Sequence, residues 1–115
     1  MQIKRLQPGA RMSAAVNYNG FVFVSGQVAD DTGANVAGQT QQILNKIDKL
    51  LEEAGSDKTK ILSANIWLAE ASSFGEMNSV WDAWVPAGNT PARACVESKL
   101  AFPQYTVEIG VIAAA

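Results

Sequence analysis

The chain has no histidine and only one cysteine, Cys95, among its 115 residues. These two shortages exclude much chemistry. Zinc and redox-metal centres draw on imidazole and thiolate ligands, so no metal site is expected. A serine nucleophile of the triad type needs an imidazole base, and there is none. A single cysteine cannot close an intrachain disulfide. Any catalysis must use Arg, Glu, Lys, Tyr, Ser, Cys or backbone groups.

Charge is also scarce: 17% of residues are charged, against 48% hydrophobic. The formal net charge is −2, and no basic run exceeds the pair Lys4-Arg5. A phosphate-tracking patch is missing, so no nucleic-acid partner is expected. No apolar stretch is long enough to span a bilayer, and the N-terminus carries no signal-peptide pattern. No membrane association is expected, and the expected location is cytoplasmic. The composition suits a compact chain, and the length fits one domain over residues 1–115. The low charge content hints at surface buried between subunits.

The elements read in order. Ile3 to Leu6 forms a short first strand, broken at Pro8-Gly9. Ala14–Tyr18 and Phe21–Gly26 flank Asn19-Gly20, a strong two-residue hairpin signal. Phe21, Phe23 and Ser25 share one face of the second strand; Val22 and Val24 share the other. Thr40–Ala54 predicts a helix, with Ile43, Leu44, Ile47, Leu50 and Leu51 at amphipathic spacing and Gly55 as a left-handed cap. Ile61–Ala69 alternates, placing Leu62, Ala64, Ile66 and Leu68 on one face. Ser73 and Glu76 have capping-box spacing. The helix they open carries Phe74, Met77, Trp81 and Trp84 on one stripe and stops at Pro86. Ala92–Glu97 and Tyr105–Ala113 are the last strands. This order predicts an α+β domain, one mixed sheet with two helices packed on one face. The other face lacks a cover, which a partner subunit could supply.

Two charges set in apolar strands are the main chemical content. Arg93 opens the run Ala92–Val96. It reads either as a surface arginine paired with a carboxylate such as Glu97, which general exposure statistics favour, or as a fork for a substrate carboxylate or phosphate. Glu108 shares its parity with Thr106, Gly110 and Ile112. It meets solvent, pairs with a cation, or is held for acid–base work with a raised pKa. Cys95 reads as a small buried residue with no neighbour to activate it. Ser25 and Asn78 are uninformative alone. Trp67, Trp81 and Trp84 follow the hydrophobic periodicity and read as core, and Tyr18 reads as a packing residue beside the turn.

The stretch "TPARACVESKLAFPQYTVEIGVIAA" resembles the C-terminal signature of the RidA/YjgF family, the reactive intermediate deaminases: Pro-x-Arg-x-x-Val, then Leu and Pro, then Val-Glu-Ile leading to Ile-Ala. "GFVFVSGQVA" is similar to the family strand ending in Ser-Gly-Gln, and "FGEMNSVWDAWV" to its second helix. The match spans nearly the whole chain and looks closest to a short paralogue branch marked by Trp-Asp-Ala-Trp-Val. The resemblance implies a chorismate-mutase-like fold, a homotrimer with pockets between subunits, and hydrolysis of imines and enamines such as 2-iminobutanoate and 2-iminopropanoate. It implies that Arg93 clamps the substrate carboxylate and Glu108 orients the attacking water. Ser25 with its neighbour Gly26, Asn78 and Cys95 would line the pocket, Cys95 mainly through its backbone. The ligand would be a small imino or 2-oxo acid, with no cofactor and no metal. One departure stands out. Many members carry a pocket tyrosine before the first hairpin; Met12 falls at about that place, and Tyr18 is out of register. The alternative implied by that loss is a binding or regulatory module that holds a 2-oxo acid without turnover.

Overall fold

The computed structural model describes residues 2–115. Asn19 and Gly20 both have positive φ, 52° and 79°, the twist that a two-residue hairpin needs. They join β2 (Ser13–Tyr18) to β3 (Phe21–Gln27), with β1 (Lys4–Pro8) paired to β2 on the outside. Then follow α1 (Val36–Glu53), β4 (Ile61–Leu68), α2 (Phe74–Trp84), β5 (Ala92–Glu97) and β6 (Val107–Ala114). The sheet order is β1-β2-β3-β6-β4-β5. Every pairing is antiparallel except β4 with β5, whose parallel crossover runs through α2. This is the expected α+β arrangement, a mixed sheet with both helices on one face.

Alternation along the strands builds the core. Val22, Val24, Ala64, Ile66, Leu68, Val107, Ile109 and Val111 are buried toward the helices. Ile43, Leu44, Ile47 and Leu51 from α1 and Met77, Trp81 and Trp84 from α2 complete the same cluster. The residues of opposite parity lie on the uncovered face, where Phe21 and Phe23 remain more than 40% exposed.

Helix ends depart from expectation in instructive ways. α1 begins at Val36, four residues before the predicted start, because Asn35 caps it: its side-chain oxygen accepts from the Gly38 amide at 2.8 Å. The hydrophobic stripe starts only later, so periodicity missed the first turn. Its other end is as predicted. Gly55 has φ 80°, and the Ser56 and Gly55 amides reach back to the Leu51 and Glu52 carbonyls, a Schellman closure. The predicted capping box is absent. Ser73 ends the 3₁₀ turn Ala71–Ser73 in helical conformation and its side chain caps nothing. Glu76 instead accepts from the Ala37 amide at 2.8 Å, tying the first turns of the two helices together.

Three further differences concern strands. Ile61 pairs with Ala113 but Ser63 with Ile112, so β4 carries one extra residue there. That bulge turns Leu62 out of the face of Ala64, and it is exposed. Tyr18 is exposed rather than packed. The last strand starts at Val107, not Tyr105, because Gln39 holds the preceding segment off the ladder. This fully buried amide donates to the carbonyls of Thr32, Ala34 and Gln104 and accepts from the Thr106 N–H at 3.0 Å.

Asn35→Ala should cost about 1 kcal/mol, the usual worth of such a cap, and lower Tm by roughly 3–6 °C. Asn35→Ser should restore most of it. Calorimetry at fixed protein concentration checks both, since association adds to apparent stability.

Candidate functional site

Glu108 lies on β6 directly opposite Trp67 of β4. Its buried neighbours Val107 and Ile109 face the helices, so Glu108 faces the uncovered side. Trp67 is thus half-buried on the uncovered face and not in the core as expected. On the other flank of Glu108, β3 is irregular. Val24 pairs with Val111 and Gln27 with Ile109, leaving Ser25 and Gly26 together opposite Gly110. This bulge brings the Gly26 backbone beneath the Glu108 side chain. A Cβ on Gly26 would overlap the carboxylate and lie 3.0 Å from its Cδ. Only glycine leaves room for the acid to lean over β3. Burial pushes the Glu108 carboxyl above the usual glutamate range, because desolvation disfavours the charged form.

Ser25 is anchored beside it. Its hydroxyl donates to the Ala14 carbonyl at 3.0 Å, and Gln27 Nε2 donates to the Ser25 carbonyl at 3.0 Å. A depression of about 280 Å³ opens here, its lining including Met12, Ser25, Gly26 and Gln27. Met12 is 68% exposed at its rim.

Arg93 belongs to the opposite side. It pairs with Ala64 on β4, which is fully buried against the helices, so Arg93 points toward α2. There Nη1 donates to Asn78 Oδ1 at 2.7 Å. The guanidinium lies 5.2 Å from the Trp81 ring centre and 5.7 Å from that of Phe74, within cation–π range. Glu97 does not pair with it; its Oε1 accepts from the Ala71 amide at 2.8 Å. Among the described residues the one ion pair is Lys46–Asp30, and Arg93 forms none. Cys95 follows on the same face, partly buried against the core. Burial raises its thiol pKa, opposed by the Arg93 charge, so it remains a thiol at neutral pH.

The candidate residues therefore fall into two groups. Arg93, Asn78 and Cys95 gather on the helix-facing side of β5. Ser25, Gly26 and Glu108 gather at the bulge, with Glu108 on the uncovered face. A single chain does not bring the two groups together. Sequence reading missed the part taken by Phe74 and Trp81 around Arg93. Positions 74, 78 and 81 share one helical stripe, but periodicity marks Phe74 and Trp81 only as part of the hydrophobic stripe and leaves Asn78 apart from them.

Comparison with known proteins agrees with this architecture. A family model described as Endoribonuclease L-PSP matches residues 2–115. The chain is 42% identical over 112 residues to a RutC family protein of Haemophilus ducreyi, covering 97% of this chain and 96% of the relative. The RutC family protein YoaB of Escherichia coli is 42% identical over 114 residues, 99% of each chain. A crystal structure of a YjgF family member from Neisseria meningitidis superposes with a TM-score of 0.96 at 48% identity, covering 99% of this chain and 95% of that one. The chain belongs to the RidA/YjgF family, which the family model describes as Endoribonuclease L-PSP. Membership extends over the described residues, so both groups of candidate residues lie within the family region.

Gly26→Ala tests the seat of Glu108. The added methyl should displace the carboxylate and lower any activity that depends on its position, with Tm changed far less than for a core substitution. Unchanged activity would show that the carboxylate has no required position above β3.

Proposed function

We propose that this protein hydrolyses 2-imino acids to 2-oxo acids and ammonia, at sites formed between the protomers of a homotrimer. The observation that carries the reading is Arg93. It is a half-buried guanidinium, oriented by Asn78 and two aromatic rings, with no carboxylate opposite it. A cation fixed this way without a counter-charge is prepared for an anionic ligand, and a planar carboxylate suits its fork.

The division of the residues between two faces supports the assembly. Arg93 of one protomer and Glu108 of its partner can address one small molecule; the same pair within one chain cannot. A contact of this head-to-tail kind repeats until it closes, giving a ring. The apolar uncovered face, with Phe21, Phe23 and Leu62, gives such a ring a surface to bury.

In the reaction, Arg93 holds the carboxylate of the imino acid through two parallel hydrogen bonds. Glu108, as carboxylate, accepts a proton from water as its oxygen bonds to the imine carbon. The C=N π pair passes to nitrogen, which takes that proton back from Glu108, giving a neutral carbinolamine. Glu108 then takes the hydroxyl proton and passes it to the amine nitrogen, so the C–N bond breaks and ammonia leaves as the C=O bond closes. Positioning and modest acid–base help are enough for an intrinsically fast hydrolysis. No step calls for a metal or cofactor.

Met12, where many members of the family have a pocket tyrosine, favours a second reading, in which the site binds a 2-oxo acid and turns nothing over. An endoribonuclease role, which the family description names, has less support here. The chain has eleven acidic residues against nine basic ones and no histidine, a poor footing for phosphate binding.

A coupled assay, with a dehydratase supplying 2-iminopropanoate or 2-iminobutanoate, decides between enzyme and binder. Arg93→Ala should abolish acceleration with the fold intact. Arg93→Lys should lose most of it, since an ammonium lacks the planar fork. Glu108→Gln should lower turnover by roughly tens- to thousands-fold, yet keep or improve pyruvate affinity in calorimetry. Wild-type protein that binds pyruvate without accelerating imine hydrolysis would leave the binder reading. A stable monomer by light scattering at micromolar concentration would remove the shared site.

The pH profile follows from Glu108. The carboxylate is the working form, so turnover falls as pH drops through its pKa. Burial has raised that pKa, so the acidic limb should lie above the ordinary glutamate range, and it should vanish in Glu108→Gln. Cys95→Ala should retain most activity across this range, since its thiol takes no part.

A further inference from the structure

A groove of about 270 Å³ lies between the start of α2 and β5, lined by Leu68, Ala71, Phe74, Cys95, Val96 and Glu97. It adjoins Arg93. Phe74 lines the groove and faces the guanidinium with its ring, and Cys95 is the next residue on the same face of β5. Leu68, Ala71 and Phe74 make its wall toward α2 apolar. Glu97 lies four residues along the strand from Arg93, about 13 Å away. Its carboxylate is tied to the Ala71 amide. The groove therefore has an uncompensated cation at one end, an apolar wall, and a fixed negative group at the other.

We propose that this groove is the side-chain subsite of the candidate deaminase, and that it selects monocarboxylic 2-imino and 2-oxo acids with branched aliphatic or aromatic side chains. The proposal rests on Arg93 as the carboxylate clamp. A ligand held there directs its tail along β5. A dry cavity of about 150 Å³ accommodates benzene, so the groove is large enough for an isobutyl or phenyl group, and a methyl leaves most of it empty. Each methylene removed from water there tightens binding by about fourfold. A dicarboxylic acid would bring its second charge toward Glu97, and like charges brought together act against the wrong ligand. Selection thus has an attractive part along Phe74 and a repulsive part at Glu97.

Calorimetry on the full chain, with pyruvate, 4-methyl-2-oxopentanoate, phenylpyruvate and 2-oxoglutarate as unreactive probes, tests this. The branched and aromatic acids should bind at least tenfold more tightly than pyruvate, and 2-oxoglutarate no more tightly than pyruvate. Ala71→Leu fills the groove, while Ala71 meets Glu97 only through its backbone. It should erase the gain for the two larger acids and leave pyruvate unchanged. Glu97→Gln, which keeps an acceptor for the Ala71 amide, should tighten 2-oxoglutarate alone. Equal affinities across the series, or larger acids unaffected by Ala71→Leu, would overturn the subsite while leaving the clamp in place. Should Ala71→Leu fail to fold, the wild-type series and Glu97→Gln still decide the matter. Binding of no 2-oxo acid at all, or binding untouched by Arg93→Ala, would overturn the clamp and the subsite together.

Discussion

Side chains on a β-strand alternate between faces, and direct neighbours across a ladder share one. That period of two governs how this molecule distributes its chemistry. Arg93 pairs with buried Ala64 and must face the helices; Glu108 pairs with Trp67 and must face away from them. Neither can change sides without turning a core strand inside out. The two charges noticed in the sequence are therefore held apart by the same pairing that buries Ile66, Ile109 and Val111. Under the proposed function the two would act together only across two chains, and the uncovered apolar face is the surface such an assembly would bury.

Each half is built by a different physical device. On the Arg93 side, a short helix presents Phe74, Asn78 and Trp81 as one stripe, and the guanidinium meets two rings and one amide. The amide fixes its direction without neutralising it, whereas a carboxylate there would have spent the charge. On the Glu108 side the device is backbone. One extra residue in β3 lets Gly26 pass beneath the acid, and the missing Cβ is the space the carboxylate occupies. Bulges beside functional groups commonly re-aim a side chain in this way. Gln39 supports the approach to β6 by fixing Thr106, two residues before Glu108.

Most of the fold was legible because its signals are periodic. The alternation of Phe21–Ser25, the Asn19-Gly20 turn, the stripe of Ile43 to Leu51, Gly55, and the stop at Pro86 each follow from local rules, and the structure agrees with them. The failures are equally local. Asn35 sits ahead of the apolar stripe, so α1 was read too short. Ser73 and Glu76 have capping-box spacing, but a 3₁₀ turn leaves Ser73 helical and frees Glu76 for Ala37. A one-residue bulge reverses parity at Leu62, and no pattern in residue type announces it.

The candidate site was legible in the sequence as a set of residues, but not in its arrangement. Arg93 and Glu108 stood out as charges in apolar strands, and the family signature placed Ser25, Gly26, Asn78 and Cys95 with them. Register decides which face each takes, and register is set by bulges and pairings across the sheet. This is also why periodicity marks Trp81 only as core. Its burial fits the hydrophobic period, and its second contact, with a cation on a neighbouring strand, depends on where β5 lies. A residue can satisfy the period of its own helix and still serve a group on another element. Trp81 does both, buried in the core and set against Arg93, while Phe74 and Asn78 meet the guanidinium from the less buried part of the same stripe. A substitution there acts on packing and on the charge together, so the guanidinium is best tested at Arg93 itself, where the core is not disturbed.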